Sequence, residues 1–133
     1  MSEPKRVDPA GAPQKLTVMQ AFDAVVERAG DTVALRRKRG GKVEDTTWKE
    51  YAGNARAVAK ALLAAGVQPH EGVAILGFNA PEWLYADLGA IFAGAIPAGI
   101  YTTSSGEQSA YIVDHCDARV AFGSAPRSAS FAP

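Results

Sequence analysis

The sequence predicts an α/β fold: an incomplete doubly wound parallel sheet (βαβαβ) preceded by helices and a short hairpin. Three observations carry this. Short apolar runs at Val73–Phe78, Ala95–Ile100 and Arg119–Phe122 alternate with segments of helical periodicity. Their βα connections are short, and apolar strands so joined imply right-handed crossovers and parallel pairing. Ahead of them, Gly40-Gly41 separates two short extended arms, the pattern of a hairpin with a glycine turn.

Each element has a local cause. Residues 1–15 are rich in Pro, Ala and charge without periodicity and read as a flexible leader. Thr17 opens a helix, with Gln20 three residues on to complete a capping box; Val18, Phe22, Val25 and Val26 supply the apolar stripe. Gly30 is expected to end that helix in the left-handed conformation. In the hairpin, the cationic run Arg36–Arg39 faces Glu44 and Asp45 of the other arm. Cross-strand pairing therefore explains the run better than an anion site does. Thr47 and Glu50 form a second capping box, followed by Tyr51, Ala55, Val58, Ala59, Leu62 and Leu63 on one helical face. Gly66 and Pro69 stop the helix.

Val73–Phe78 then reads as a strand buried on both faces. Asn79 is expected to cap the next helix, with Pro81 in its first turn, Leu84, Leu88, Ile91 and Phe92 as its buried face, and Gly94 as its stop. Ala95–Ile100 is a second buried strand. Ser104 with Glu107, or Ser105 with Gln108, opens a helix running to about His115, and Arg119–Phe122 begins a third strand. Residues 123–133 lose all periodicity and read as a divergent tail, leaving 16–122 as the folded part and the sheet with an open edge.

Composition bounds the function. The 133 residues are 47% apolar and 21% charged, an ordinary globular balance for one domain or part of one. Lys+Arg and Asp+Glu both number 14, so no nucleic-acid partner is expected. Cys116 stands alone, which excludes an internal disulfide and fits a reducing compartment. No apolar run follows Lys5-Arg6, so no secretory signal is expected. The longest uncharged apolar stretch, Leu88–Tyr101, falls short of the ~20 residues a bilayer span needs and contains Pro97. The expected location is cytoplasmic, or peripheral to the endoplasmic reticulum or another membrane.

Candidate chemistry is sparse. Gly89, Gly94 and Gly99 do not fit a dinucleotide fingerprint and are better explained by close packing and helix termination. Asp114-His115-Cys116-Asp117 points its side chains in different directions, so no metal site is expected. His70, beside Pro69, is assigned no role, and no Gly-x-Ser-x-Gly elbow is present. Thr102-Thr103-Ser104-Ser105-Gly106 has the composition of a phosphate cradle without the Gly-Lys-Ser/Thr ending. It reads either as helix capping or as a loop facing a ligand crevice at the carboxyl end of a strand.

Three stretches carry a family resemblance. Thr47-Trp48-Lys49-Glu50-Tyr51 resembles the first core motif of the AMP-forming adenylating enzymes. Gly72-Val73-Ala74-Ile75-Leu76-Gly77-Phe78-Asn79-Ala80-Pro81-Glu82-Trp83 is similar to the next segment of the long-chain acyl-CoA synthetases. Asp87–Ala95 and Gly99–Thr103 are similar to the bubblegum-type branch of those fatty acid–CoA ligases. The resemblance covers about Thr17–Phe122 and corresponds to the N-terminal part of a longer enzyme.

The resemblance implies a family that uses ATP, Mg²⁺ and coenzyme A to turn a fatty acid into an acyl-adenylate and then an acyl-CoA. The family's phosphate loop, Mg²⁺-holding Glu, ribose-binding Asp and C-terminal lysine belong to segments beyond this region. This chain is therefore expected to carry no catalytic residue, no metal ligand and no retained cofactor, and to be inactive by itself. The alternative is a non-catalytic binding or interaction module derived from the enzyme. The resemblance also places Tyr101, Thr102 and Thr103 on the coenzyme A side, where a ring could stack on adenine and hydroxyls bond phosphate. A buried Tyr101 with capping hydroxyls is the competing reading. Self-association through the open sheet edge is the remaining partner expectation.

Overall fold

The computed structural model describes residues 15–124. The expected leader, but for Lys15, and the tail beyond Ser124 lie outside the described residues. The order is α1 (Val18–Ala29), β1 (Val33–Arg39), β2 (Lys42–Thr47), α2 (Trp48–Ala64), β3 (Gly72–Leu76), α3 (Pro81–Phe92), β4 (Ile96–Ile100), α4 (Gly106–His115) and β5 (Ala118–Gly123). β1 and β2 form the hairpin; the other strands form a parallel sheet in the order β4-β3-β5. The first crossover moves to one side of β3 and the second to the other, so right-handed connections put α3 and α4 on opposite faces. The glycines agree. A Cβ on Gly99 would meet the Trp83 ring of α3 at 3.2 Å, whereas one on Gly72 would run into the Cys116 carbonyl at the end of α4.

Capping sets most helix ends. Thr17 with Gln20, Thr47 with Glu50 and Ser105 with Gln108 all form reciprocal boxes. In the second, the Glu50 amide donates to Thr47 Oγ1 at 3.2 Å and the Thr47 amide to Glu50 Oε2 at 2.7 Å. The α2 and α3 ends use left-handed glycines, Gly66 (φ 85°) and Gly94 (φ 78°). After α2, the Gly66 and Val67 amides donate to the Leu63 and Leu62 carbonyls, and the same pattern recurs at Gly94 and Ala95.

Other expectations are corrected. Gly30 is right-handed (φ −52°). It is glycine because a Cβ would sit 2.6 Å from the Val26 carbonyl oxygen and 2.9 Å from the Lys49 stem. Asn79 does not cap α3: Ala80 is the cap residue, with no side-chain bond and Pro81 in the first turn. β3 stops at Leu76, and Phe78 is 62% exposed, because the chain has already left the sheet toward α3. β4 is not buried on both faces; as an edge strand it leaves Ile96 55% exposed. β5 continues through Gly123, and the Ser124 amide still reaches the Leu76 carbonyl at 3.0 Å, so the break at 123 falls too early.

The core is one-sided. Phe22 of α1 meets Trp48, Tyr51 and Phe92 edge-on, with centroids 5.1–5.8 Å apart. Deeper, Ala59, Leu62 and Val67 pack with Ala90, Ala93, Ala95 and Val73, and with the half-buried Val120 and Phe122. Helices α2 and α3 approach closely because small residues line their seam: Ala52, Ala55, Ala86, Gly89 and Ala90 are buried. α4 has no buried residue on the opposite face.

Candidate functional site

The carboxyl ends of β3 and β5 border a crevice of about 690 Å³. Its floor is Ile75, Ala86, Trp83 and Phe122; its rim includes Phe78, Glu82 and two hairpin cations, Arg37 and Arg39. This is the point where the doubly wound order reverses, and open α/β sheets hold ligands outside such a point. The β3–α3 turn opens it. Gly77 lies between Trp83 and Ser124, where a Cβ would come 3.0 Å from the Ser124 hydroxyl.

The hairpin reaches this crevice through charge. Arg36 clasps Asp45 with bonds of 2.6 and 2.8 Å, the cross-strand pairing expected from the sequence. Arg37 pairs with Glu44 at 2.7 Å and also grips both carboxylate oxygens of Glu82, on α3, at 2.9 and 3.0 Å. Thr46 and Tyr85 add a contact at 3.4 Å. The bonds to Glu44 and Glu82 raise the Arg37 pKa. Glu82 is held below the usual carboxylate range, first by its own backbone amide at the helix start and then by Arg37. Behind this clasp, burial pushes the Asp87 carboxyl up. Burial, followed by the Asp87 charge, pushes the Tyr51 phenol up.

The loop after β4 is separate from the crevice. Tyr101 is 82% exposed, which overturns the buried alternative for it, and Thr102 and Thr103 are exposed beside it. Ser105, not Ser104, caps α4, so the two threonines are not its capping hydroxyls. Tyr101 and Thr103, with Ser104, Gln108 and Tyr111, border a shallow open depression that Thr102 does not line. His115 stacks on Tyr111, Cys116 Sγ faces the Val113 carbonyl at 3.6 Å, and His70 (φ 70°) donates its amide to the Gly94 carbonyl. Among the described residues no group of three or more His, Cys, Asp or Glu could hold a metal ion, and no helix is long and apolar enough to cross a membrane.

Sequence reasoning missed the crevice residues Arg37, Arg39, Phe78, Trp83 and Phe122. The available signal was Gly77 after an apolar strand in a doubly wound pattern. Nothing local says that a hairpin about 40 positions upstream docks there.

An open α/β sheet with its crevice at the switch point, behind a helical and hairpin layer, defines a ligand-binding open α/β subdomain. The solved structures agree. The anthranilate CoA ligase AuaEII in complex with anthranoyl-AMP superposes with a TM-score of 0.71 at 26% identity, covering 77% of this chain and 19% of that one. Klebsiella oxytoca NpsA superposes at 0.74, covering 86% and 23%; at 23% identity this shows the fold alone. Residues 22–132 match the family model described as AMP-binding enzyme, and the chain belongs to that family. It is 43% identical over 115 residues to the human long-chain-fatty-acid–CoA ligase ACSBG1, covering 86% of this chain and 16% of that protein. It is 42% identical over 105 residues to ACSBG2 of Xenopus laevis, covering 79% and 14%. The chain thus spans about a sixth of the length of the curated relatives it matches.

Proposed function

We propose that this chain is a portion of a long-chain fatty acid–CoA ligase that serves ATP-dependent conversion of a fatty acid to an acyl-adenylate and then to its CoA thioester. The identity to ligases of that activity, 43% over 115 residues, carries the reading. In the whole enzyme the role of this portion is to fix the sheet's switch point and its hairpin wall. Tyr101, Thr102 and Thr103 lie on the coenzyme A side; the exposure of the Tyr101 ring and of both hydroxyls supports this, because all are free to meet a ligand. Membrane contact, where it occurs, is peripheral.

By themselves the 133 residues do not catalyse the reaction. Adenylyl transfer requires charge-stabilising groups around the phosphates. Of the two cations at the crevice, Arg37 is already committed to Glu44 and Glu82. A pyrophosphate-release assay with fatty acid, ATP and Mg²⁺ is expected to match the boiled control, and fatty-acid-dependent release would overturn this. Residues 22–124 grafted in place of the matching segment of a bubblegum-type ligase are expected to leave acyl-CoA formation intact. Loss of acyl-CoA formation in a folded graft would reject the assigned role. The binding-module alternative is favoured by one observation, a crevice already formed in this chain. A thermal shift with coenzyme A in the isolated chain would support it.

A further inference from the structure

Cross-strand pairing absorbs only part of the hairpin's charge. Arg36 holds Asp45, and Arg37 holds Glu44 and Glu82. Lys38, Arg39 and Lys42 are exposed and form no ion pair among the described residues. Arg39 feels Glu82 only at longer range, because Arg37 occupies both of its oxygens. The register sets Lys38 opposite Val43 and Arg39 opposite Lys42. Cross-strand partners share a face, so Arg39 and Lys42 meet as like charges, which costs stability until an anion lies against them. The three Cα atoms lie within about one residue rise (~3.3 Å) and one strand spacing (~4.8 Å), inside the Debye length of ~8 Å, so the charges act as one patch. A Cβ on Gly40 or Gly41 would meet nothing within 4 Å, so the turn projects from the rest of the described chain. Arg37 reaches α3, so by alternation Lys38 and the 60% exposed Val43 turn away from it.

We propose that the hairpin tip is an interaction surface for an anionic lipid bilayer, with Lys38, Arg39 and Lys42 against the headgroups and Val43 at the boundary with the acyl chains. Lysine and arginine are almost never buried without a carboxylate, so an apolar cover from elsewhere in a longer chain does not suit this tip; what meets it carries negative charge. The cations stand on both faces of a two-stranded ribbon. That arrangement does not wrap a small anion, but it meets a broad charged surface edge-on. Val43 among them selects lipid over an acidic protein, because the headgroup boundary accepts cations and an apolar side chain together. The choice of lipid also rests on the proposed reaction, whose long-chain substrate dissolves in bilayers. The whole chain is neutral, with 14 cations and 14 acids, so the attraction belongs to this patch and not to the chain at large.

The test uses the whole chain and omits fatty acid, ATP and coenzyme A, so its failure leaves the proposed activity untouched. In vesicle flotation, phosphatidylcholine containing about 30% phosphatidylserine is expected to carry the protein, and pure phosphatidylcholine is not. Each cation near such a surface contributes about five-fold in partition, so Lys38→Gln, Arg39→Gln and Lys42→Gln combined are expected to lower it about 100-fold. Lys15→Glu with Lys60→Gln, the same change of charge at exposed positions elsewhere, is expected to lower it less than about five-fold. Lys38→Arg with Lys42→Arg is expected to retain it, and Val43→Ser to lower it about five-fold. Equal partition into the two vesicles, an equal loss in the Lys15 and Lys60 variant, loss in the arginine variant, or no effect of Val43→Ser would each overturn the inference. Tighter binding to a poly-glutamate peptide than to the anionic vesicles would overturn it in favour of an acidic protein partner.

Discussion

The seam between α2 and α3 gives a test in which one substitution has opposite signs at two glycines. Gly53 and Gly89 both lie inside helices with ordinary helical dihedrals. Gly→Ala in a helix interior gains about 1 kcal/mol through reduced backbone freedom. At Gly53 a Cβ meets nothing within 4 Å, so the full gain of about 1 kcal/mol is expected. At Gly89 the Cβ would lie 2.6 Å from Val58 Cβ and Cγ1 and 2.8 Å from the Ala55 carbonyl oxygen. None of those atoms is the free end of a long side chain, so the helices must separate. Overpacking of this kind costs about 1–3 kcal/mol, and more where backbone must move. Because a contact here is to backbone, the upper part of that range, about 2–3 kcal/mol, applies, and the propensity gain of about 1 kcal/mol leaves Gly89→Ala about 1–2 kcal/mol less stable than the parent. The variants should therefore differ by about 2–3 kcal/mol in urea-unfolding free energy, measured on dilute protein. A Gly89→Ala midpoint at or above the parent's would refute the close approach of α2 and α3.

Three further outcomes are expected. Thr47→Ala loses the α2 cap and about 1 kcal/mol, read as a lower urea midpoint with an unchanged slope; an unchanged midpoint would reject the capping role. Asp87 has its pKa raised by burial, so the unfolded state releases this proton first, and the group costs stability as pH rises through the carboxylate range. Asp87→Asn should raise the melting temperature at pH 7 and leave it unchanged near pH 3; a lower value at pH 7 would contradict this. Asp45 has the opposite sign: its hydrogen bonds to Arg36 depress its pKa, so its contribution is present above the ordinary carboxylate range and is lost as pH falls through the lowered value. The acid limb of the Asp45→Asn melting curve should be shallower than the parent's, and identical limbs would show that the exposed pair contributes nothing.

Residues close in sequence carried most of the fold. Three capping boxes, two left-handed glycines and the apolar periods specified every helix and strand, because each signal acts within one or two turns of the chain. The cross-strand pairs Arg36–Asp45 and Arg37–Glu44 were legible for the same reason, since a two-glycine turn fixes the register. Family membership was also readable, because its motifs are contiguous. Gly30 misled because its need for glycine comes from close approach, to the Val26 carbonyl oxygen of its own helix and to Lys49 on another, and not from a left-handed backbone.

The strand order β4-β3-β5, the exposure of β4 and Tyr101, and the crevice were decided only by tertiary structure. Each depends on which element covers which. Arg37 illustrates the point: in sequence it is one of four cations on a solvated arm, and in space it bridges the hairpin to Glu82 across 45 positions. Apolar periodicity states that a face must be buried, but not what buries it. That choice is made by non-local packing and ion pairing, and it is what creates the crevice at the sheet's switch point.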